Sequence, residues 1–252
     1  MKKLVKLLAL VIALVSVLSM AACGQENDSD KYVIYSDKNY APFEFYDKDS
    51  EAYIGIDMEI LAAIAEDQGF EYEVRNDTFN AALGAVQAGQ ADAMIAAMTI
   101  TEKRKATFDF SDGYFEDGIV LVVGKDSGLD SLESLSGKVV AAKQGTTGTT
   151  YAESIKDQYG FTITYFEDSL SMYKAVIAGS ADACFEDFAV IGWAIKNDNL
   201  ALEIVGNVVN PGFYGFAVKK GQNAELLQMF NEGLKNIKAS GKYEEILARY
   251  GC

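Results

Sequence analysis

The sequence predicts an α/β protein of two lobes, and three observations carry that reading. Two ten-residue stretches ninety positions apart nearly coincide: AVQAGQADAM at residues 85–94 and AVIAGSADAC at residues 175–184. Each reads as a last helical turn, a stop at Gly89 or Gly179, and the start of a buried strand, so each lobe contains the same helix-to-strand unit. Strand and helix patterns alternate on both sides of this repeat, the sign of parallel sheets with crossover helices. The chain also breaks twice, at residues 111–118 and 210–214. It therefore leaves lobe one, builds lobe two and returns, over two connecting strands that form a hinge. Ligands of open α/β sheets gather where strands end, so two such ends face each other across a cleft.

Element by element, residues 32–36 are a β-rich run. Residues 37–42 form a loop, because Pro42 excludes a continuing central strand. A polar, hairpin-like stretch leads to a helix over 57–68, which places Met58, Leu61 and Ala65 on one face and stops at Gly69. A strand at 71–75 and a helix striped by Phe79, Leu83 and Val86 follow. In the second lobe, strands at 119–123, 138–142 and 163–166 alternate with helices at 149–158 and around Leu170, Tyr173, Val176 and Ile177. Past Asn210-Pro211-Gly212 come a strand at 214–218 and amphipathic helices within 224–250, with Leu227, Phe230, Leu234 and Ile237 on one face. The expected division is 31–113 with 215–252 for lobe one, 119–209 for lobe two, and 114–118 and 210–214 for the hinge.

The front of the chain carries Lys2, Lys3 and Lys6, an apolar run over 7–18, and small residues before Cys23. Residues 1–22 thus read as a secretory signal peptide. Cys23 stands where a bacterial lipobox places its lipidated residue, although Met20 occupies a position where Leu is commonest. Residues 23–30 are a polar tether. An uncleaved membrane anchor is the competing reading, but the apolar run is shorter than the ~20 residues a span needs.

The formal charge is −15, with three leader lysines already included, and the sequence holds no His and three Cys. Such an acidic chain excludes nucleic acid and a basic lipid-binding patch. Without His, most zinc, copper and haem sites and every His-based triad disappear, and no cofactor or metal is expected. Cys184 in an apolar strand and the terminal Cys252 are expected as free thiols.

A succession of strings then resembles one family. Ala41-Pro42-Phe43-Glu44-Phe45, Gly55-Ile56-Asp57, residues 98–105 (MTITEKRK), residues 108–112 (FDFSD), residues 144–148 (QGTTG) and residues 241–246 (GKYEEI) occur in order. Together they resemble the extracellular solute-binding proteins of polar amino-acid ABC importers, over residues 31–251. The resemblance implies a type II periplasmic-binding-protein fold of two α/β lobes on a two-strand hinge. It also implies a monomer, exported and lipid-anchored outside the cell membrane, that closes on one free L-amino acid and delivers it to a membrane permease.

The resemblance implies site residues, and their chemistry agrees with it. Arg104 offers a fork suited to an α-carboxylate, helped by Thr99 and by Thr147 from the other lobe. Asp187 matches the carboxylate that pairs with the ligand ammonium; it equally suits an N-cap for a helix from Phe188, and the roles are compatible. Ala97 stands where many relatives carry Gly or Ser, leaving its backbone carbonyl as an ammonium acceptor. Tyr40 and Phe79 match two aromatics that sandwich the ligand side chain, though either also fits an ordinary core. Asp37 matches the contact to the side-chain tip, which suits Arg, Lys or Gln, with the cations favoured, and suits Glu or Asp poorly. Lys143, Thr146 and Glu186 are further candidates; Glu186 faces solvent, faces the ligand or caps the same helix. The leading reading is a receptor without catalysis. The alternative is a dehydratase on the same scaffold with Glu186 as general acid.

Overall fold

The computed structural model describes residues 31–252. The leader, the lipidation position Cys23 and the tether lie outside the described residues.

The repeat explains itself in the structure. In the first copy, helix α2 (Phe79–Ala88) ends at Gly89, whose φ of 75° suits a residue without a Cβ, and strand β6 (Ala93–Met94) follows. In the second, α5 (Ser169–Ile177) is followed by Gly179 at φ 73° and β11 (Ala183–Asp187). The Asp ahead of each strand does the same work twice. The Asp92 carboxylate accepts from Val33 N–H at 2.8 Å while its own N–H donates to the Val33 carbonyl at 2.9 Å. Asp182 makes the same pair of bonds to Val139, at 2.8 and 2.7 Å. Each repeat is thus stapled to the start of the neighbouring parallel strand.

Those neighbours are β1 (Lys31–Asp37) and β9 (Val139–Lys143). In the first sheet β1 lies parallel between β5 (Glu71–Asp77) and β6, and β13 (Ala217–Lys219) and β7 (Phe108–Phe110) extend it, for an order β5-β1-β6-β13-β7. In the second, β9 lies parallel between β10 (Thr162–Phe166) and β11, and the order is β10-β9-β11-β8-β12, with β8 (Phe115–Gly124) and β12 (Leu202–Tyr214) antiparallel to their neighbours. The sheets are therefore mixed rather than wholly parallel. β8 in the second sheet and β13 in the first run against the direction of the βαβ strands.

A small antiparallel sheet of β2 (Asn39–Tyr40), β3 (Glu44–Asp47) and β4 (Ala52–Ile54) sits beside β1, where the sequence predicts only a loop and a hairpin. It feeds α1 (Ile56–Gln68) through Gly55, where φ is 134° and an added Cβ would lie 2.1 Å from the Phe43 carbonyl oxygen. Met58, Leu61 and Ala65 are buried as predicted, and Gly69 closes the helix in the left-handed region. Helices α7 (Ala224–Ala239) and α8 (Lys242–Tyr250) pack on α1, burying Phe230, Leu234 and Ile237 with Ile60, Leu61 and Ile64. Lobe two adds α4 (Thr147–Tyr159) and α6 (Phe188–Asn197), and one of its cores joins Val120, Val122, Met172 and Ile191.

Of the two predicted breaks, residues 115–118 and 210–214 are strand. β8 and β12 pair antiparallel from Phe115↔Tyr214 to Asp117↔Gly212, and the register then shifts between Gly212 and Val209 and again before Val205. Pro211 is tolerated because β12 is an edge strand and the shift lies at that point. Cys184 is a buried free thiol and Cys252 an exposed one. Among the described residues no helix is long and apolar enough to cross a membrane, and no cluster of metal-ligating side chains forms.

Candidate functional site

The carboxyl ends of the parallel strands meet between the lobes, where open α/β sheets place their ligands. Lobe one contributes Tyr40 on β2, Phe79 at the start of α2, Ala96, Ala97 and Thr99 after β6, and Arg104 in the single-turn helix α3 (Glu102–Lys105). Lobe two contributes Lys143 at the end of β9, Thr146 and Thr147 at the start of α4, and Asp187 at the end of β11. These residues line a small cavity between the two sheets. Beyond Thr99, Arg104 and Thr147 it opens into a wider groove that reaches Asn80, Lys103 and Tyr151.

At one end stands Arg104, oriented by Thr101, whose hydroxyl accepts from the Arg104 N–H at 3.2 Å. Its guanidinium donates to the Thr99 carbonyl at 2.6 Å and, across the cleft, to the Gly145 carbonyl at 3.0 Å, and it lies 5.3 Å from the Phe79 ring centroid. Burial pulls its pKa down to about 10, opposed by Asp187, so it stays cationic at neutral pH. Facing it is the N-terminus of α4, where the Thr146 hydroxyl caps Thr149 N–H at 3.2 Å. An added Cβ on Gly148 would lie 2.8 Å from the Phe185 carbonyl oxygen, so its absence lets this helix end settle on β11. A fork and a helix N-terminus together suit a carboxylate.

At the other end Asp187 Oδ2 accepts from Tyr40 OH at 2.9 Å and Tyr214 OH at 2.6 Å. Asp187 occupies the N-cap position of α6, yet its side chain makes no capping bond. That task falls to Asp117 of β8, which accepts from Ala189 N–H at 3.0 Å. Burial raises the Asp187 pKa to about 7, with the charges of Glu186 and Asp117 adding to it, while the two tyrosine bonds pull the other way. A cation beside it would bring it back to full ionisation.

Glu186 takes none of the orientations read from the sequence. It is buried and accepts from Tyr40 OH at 2.8 Å, Tyr173 OH at 2.7 Å and Asp187 N–H at 3.0 Å, outside the cavity lining. Tyr40 shares its one proton between Glu186 and Asp187, but Tyr173 OH and Asp187 N–H each donate to Glu186, which makes it an acceptor, the wrong role for a general acid.

Asp37 is buried too, one layer behind the cavity. Its Oδ2 lies 2.5 Å from Lys143 Nζ of the facing lobe, and its Oδ1 accepts from Asn39 N–H at 3.2 Å. The Lys143 ammonium sits 4.2 Å from the Tyr40 ring centroid and 5.8 Å from that of Phe79. Burial opposes its charge, but Asp37 and Glu186 outweigh burial and hold its pKa above the ordinary lysine value. The lysine thus stands between Asp37 and the two aromatic faces. The sequence marks Lys143 as a candidate without this partner, and gives no sign of a role for Tyr173, Tyr214 or Asp117.

A family model, the bacterial extracellular solute-binding proteins, family 3, matches residues 32–251. The chain belongs to that family. Curated relatives of this solute-binding protein include the ABC transporter glutamine-binding protein GlnH of Bacillus subtilis (strain 168), 31% identical with 99% of this chain and 97% of that one covered. The arginine-binding extracellular protein ArtP of the same organism is 28% identical, with 97% of each chain covered. Among solved structures, an ancestral arginine-binding protein bound to arginine is 33% identical and overlays with a TM-score of 0.81, over 89% of this chain and 99% of that one. Lactococcus lactis GlnP substrate-binding domain 2 in open conformation is 39% identical but overlays at only 0.61, over 88% and 96%. The fold is the two-lobed type II periplasmic-binding-protein fold, and the family serves amino-acid uptake by ABC transporters. Its members here are binding proteins rather than enzymes, and one structural neighbour is described as a precursor of cyclohexadienyl dehydratase.

Proposed function

We propose that this solute-binding protein is a lipid-anchored receptor that takes a free polar amino acid, glutamine first, into the cleft and hands it to an ABC importer. The α-carboxylate lies between Arg104, Thr99 and Thr147 at the N-terminus of α4. The ammonium lies against Asp187 and the Ala97 carbonyl, and the side chain runs between Tyr40 and Phe79 toward Lys143. Residues 31–113 with 215–252 and residues 119–209 are the lobes that close, bending at 114–118 and 210–214. The leader over residues 1–22 is removed and Cys23 carries the lipid.

One observation carries the choice of ligand: the buried pair of Asp37 and Lys143. Sequence reasoning leaned to Arg or Lys because Asp37 was read as an anion awaiting a cation. Lys143 supplies that cation from the protein itself, and a cationic side chain arriving beside it meets a like charge. A side-chain amide fits both partners, its carbonyl accepting from Lys143 and its NH₂ directed to Asp37. The better overlay on a ligand-bound relative than on an open one of higher identity supports closure of the lobes.

The test is calorimetry on protein unfolded and refolded to remove co-purified solute, titrated with L-glutamine, L-arginine, L-lysine and L-glutamate. Glutamine is expected to bind tightest. Arginine or lysine binding tenfold tighter would overturn the side-chain assignment, and binding of none of them would overturn the cleft itself.

A further inference from the structure

Two buried carboxyl groups lie behind the site. Asp57 of α1 and Glu44 of β3 are both 0% exposed, with no Arg or Lys in hydrogen-bonding contact. Asp57 Oδ2 accepts from Ala97 N–H at 2.7 Å and from Tyr114 OH at 2.8 Å. Asp57 Oδ1 and both Glu44 carboxyl oxygens find no hydrogen-bond partner among the described residues, and the two carboxyls are near enough to shift each other's pKa. One proton held between the two carboxyls satisfies this arrangement, with Glu44 as its owner. Burial, with the neighbouring charges of Asp57 and Asp37, drives the Glu44 pKa far up, while Asp57 rises only to about 6 because Ala97, Tyr114 and Glu44 all stabilise its anion against burial.

Ala97 is an unusual residue to be held in this way. Its φ is 42°, in the left-handed region that a side chain normally avoids, and it lines the ligand cavity. Among the described residues no N–H or O–H donates to its carbonyl, although the residue is only 5% exposed. A left-handed peptide persists only where its surroundings over-determine it, and the one bond that its N–H makes is to Asp57.

We propose that Asp57 is a positioning residue for the ammonium subsite: by gripping the Ala97 N–H it fixes the left-handed peptide whose carbonyl accepts from the ligand's α-ammonium. Glu44 and Tyr114 hold Asp57 in turn. The inference rests on the cleft reading above and adds a residue that never touches the ligand. Tyr114 extends the chain of contacts to the hinge, since its own N–H donates to the Tyr214 carbonyl at 2.9 Å at the foot of β12.

The experiment compares L-glutamine with glutaramate, the same molecule without its α-amino group, by NMR titration of wild type, Asp57→Ala, Asp57→Asn and Glu44→Gln. Asp57→Ala is expected to weaken glutamine about 10- to 100-fold, the value of one charge-assisted hydrogen bond, and glutaramate less than about threefold. Asp57→Asn keeps an oxygen for Ala97 and Tyr114 and turns its NH₂ to Glu44, so it should hold glutamine within about threefold of wild type, as should Glu44→Gln. Equal losses for both ligands in Asp57→Ala, or unchanged binding of both, would overturn the proposal while leaving the cleft reading intact. If Asp57→Ala does not fold, Tyr114→Phe replaces it: a loss confined to glutamine supports the proposal, and an unchanged ratio overturns it. Wild type that binds no α-amino acid would sink the cleft reading first and this one with it.

Discussion

Replacing Lys143 by Met keeps most of the stem and removes the charge, and the structure says where the cost falls. Asp37 is 1% exposed and Lys143 2%, and the two lie on opposite lobes, so the pair exists only when the lobes are together. Removing one partner of a buried ion pair costs about 3 to 5 kcal/mol, because the other charge is left uncompensated. Asp37 retains one backbone donor, Asn39 N–H, which places the cost toward the lower end. It is charged to the closed state alone, so glutamine affinity should fall by about 3 kcal/mol, roughly two orders of magnitude. A lysine or arginine ligand can put its own cation into the position that Lys143 Nζ holds, 2.5 Å from Asp37 and 4.2 Å from the Tyr40 centroid. Lys143→Met should therefore prefer lysine or arginine over glutamine, reversing the wild-type order. Calorimetry with the three amino acids on refolded protein reads both changes. Glutamine affinity within threefold of wild type, or a uniform loss for all three, would refute the reasoning.

Three further expectations follow from the same geometry. Arg104→Ala should weaken every amino acid alike by about 1.5 to 3 kcal/mol, the worth of a charged hydrogen bond, since it reads only the shared carboxylate; calorimetry across side-chain types checks it. Asp187, with Glu186, Asp117, Tyr40, Tyr214 and Arg104 around it, has its pKa raised to about 7, and a ligand ammonium favours its ionised form, so binding expels a proton. Affinity should then fall as pH drops below about 7, by up to about tenfold per unit, and buffers of different ionisation enthalpy should change the calorimetric heat; a flat profile from pH 5 to 8 would contradict it. On the proposed anchor of two acyl chains at Cys23, Cys23→Ala should release the protein from membranes; a full-length variant that still sediments with membranes points to an uncleaved helix instead.

The lobes were legible because their signals are local. Gly89 and Gly179 stop helices in the same way, and Asp92 and Asp182 precede strands in the same way, all within ten residues. The two-strand hinge was legible, but the length of β12 ahead of Tyr214 was not, for a physical reason. β12 is an edge strand, exposed along much of its length, so no alternation of apolar residues marks it, and Pro211 sits where the register has already slipped. In the site, single residues were legible through the strings they stand in, but partnerships were not. Asp37 and Lys143 are 106 residues apart, Tyr40 and Glu186 are 146 apart, and nothing in either neighbourhood announces the other. Glu44 and Asp57 stood in the strings that carried the resemblance, yet only the fold brings their carboxyls together behind Ala97.

The paired strands β8 and β12 also govern how the lobes can move. A single connecting chain bends and twists about every bond, so bodies joined by it meet in many orientations. Two strands laddered from Phe115↔Tyr214 to Asp117↔Gly212 form a ribbon, which flexes across its face but resists torsion and shear in its plane. The ladder is weakest where the register slips between Gly212 and Val209, so flexure concentrates there. On the closure proposed above, the motion runs along essentially one angular coordinate. Every stroke returns the same side chains to the same opposite numbers, and little orientational freedom is left to be lost when they meet.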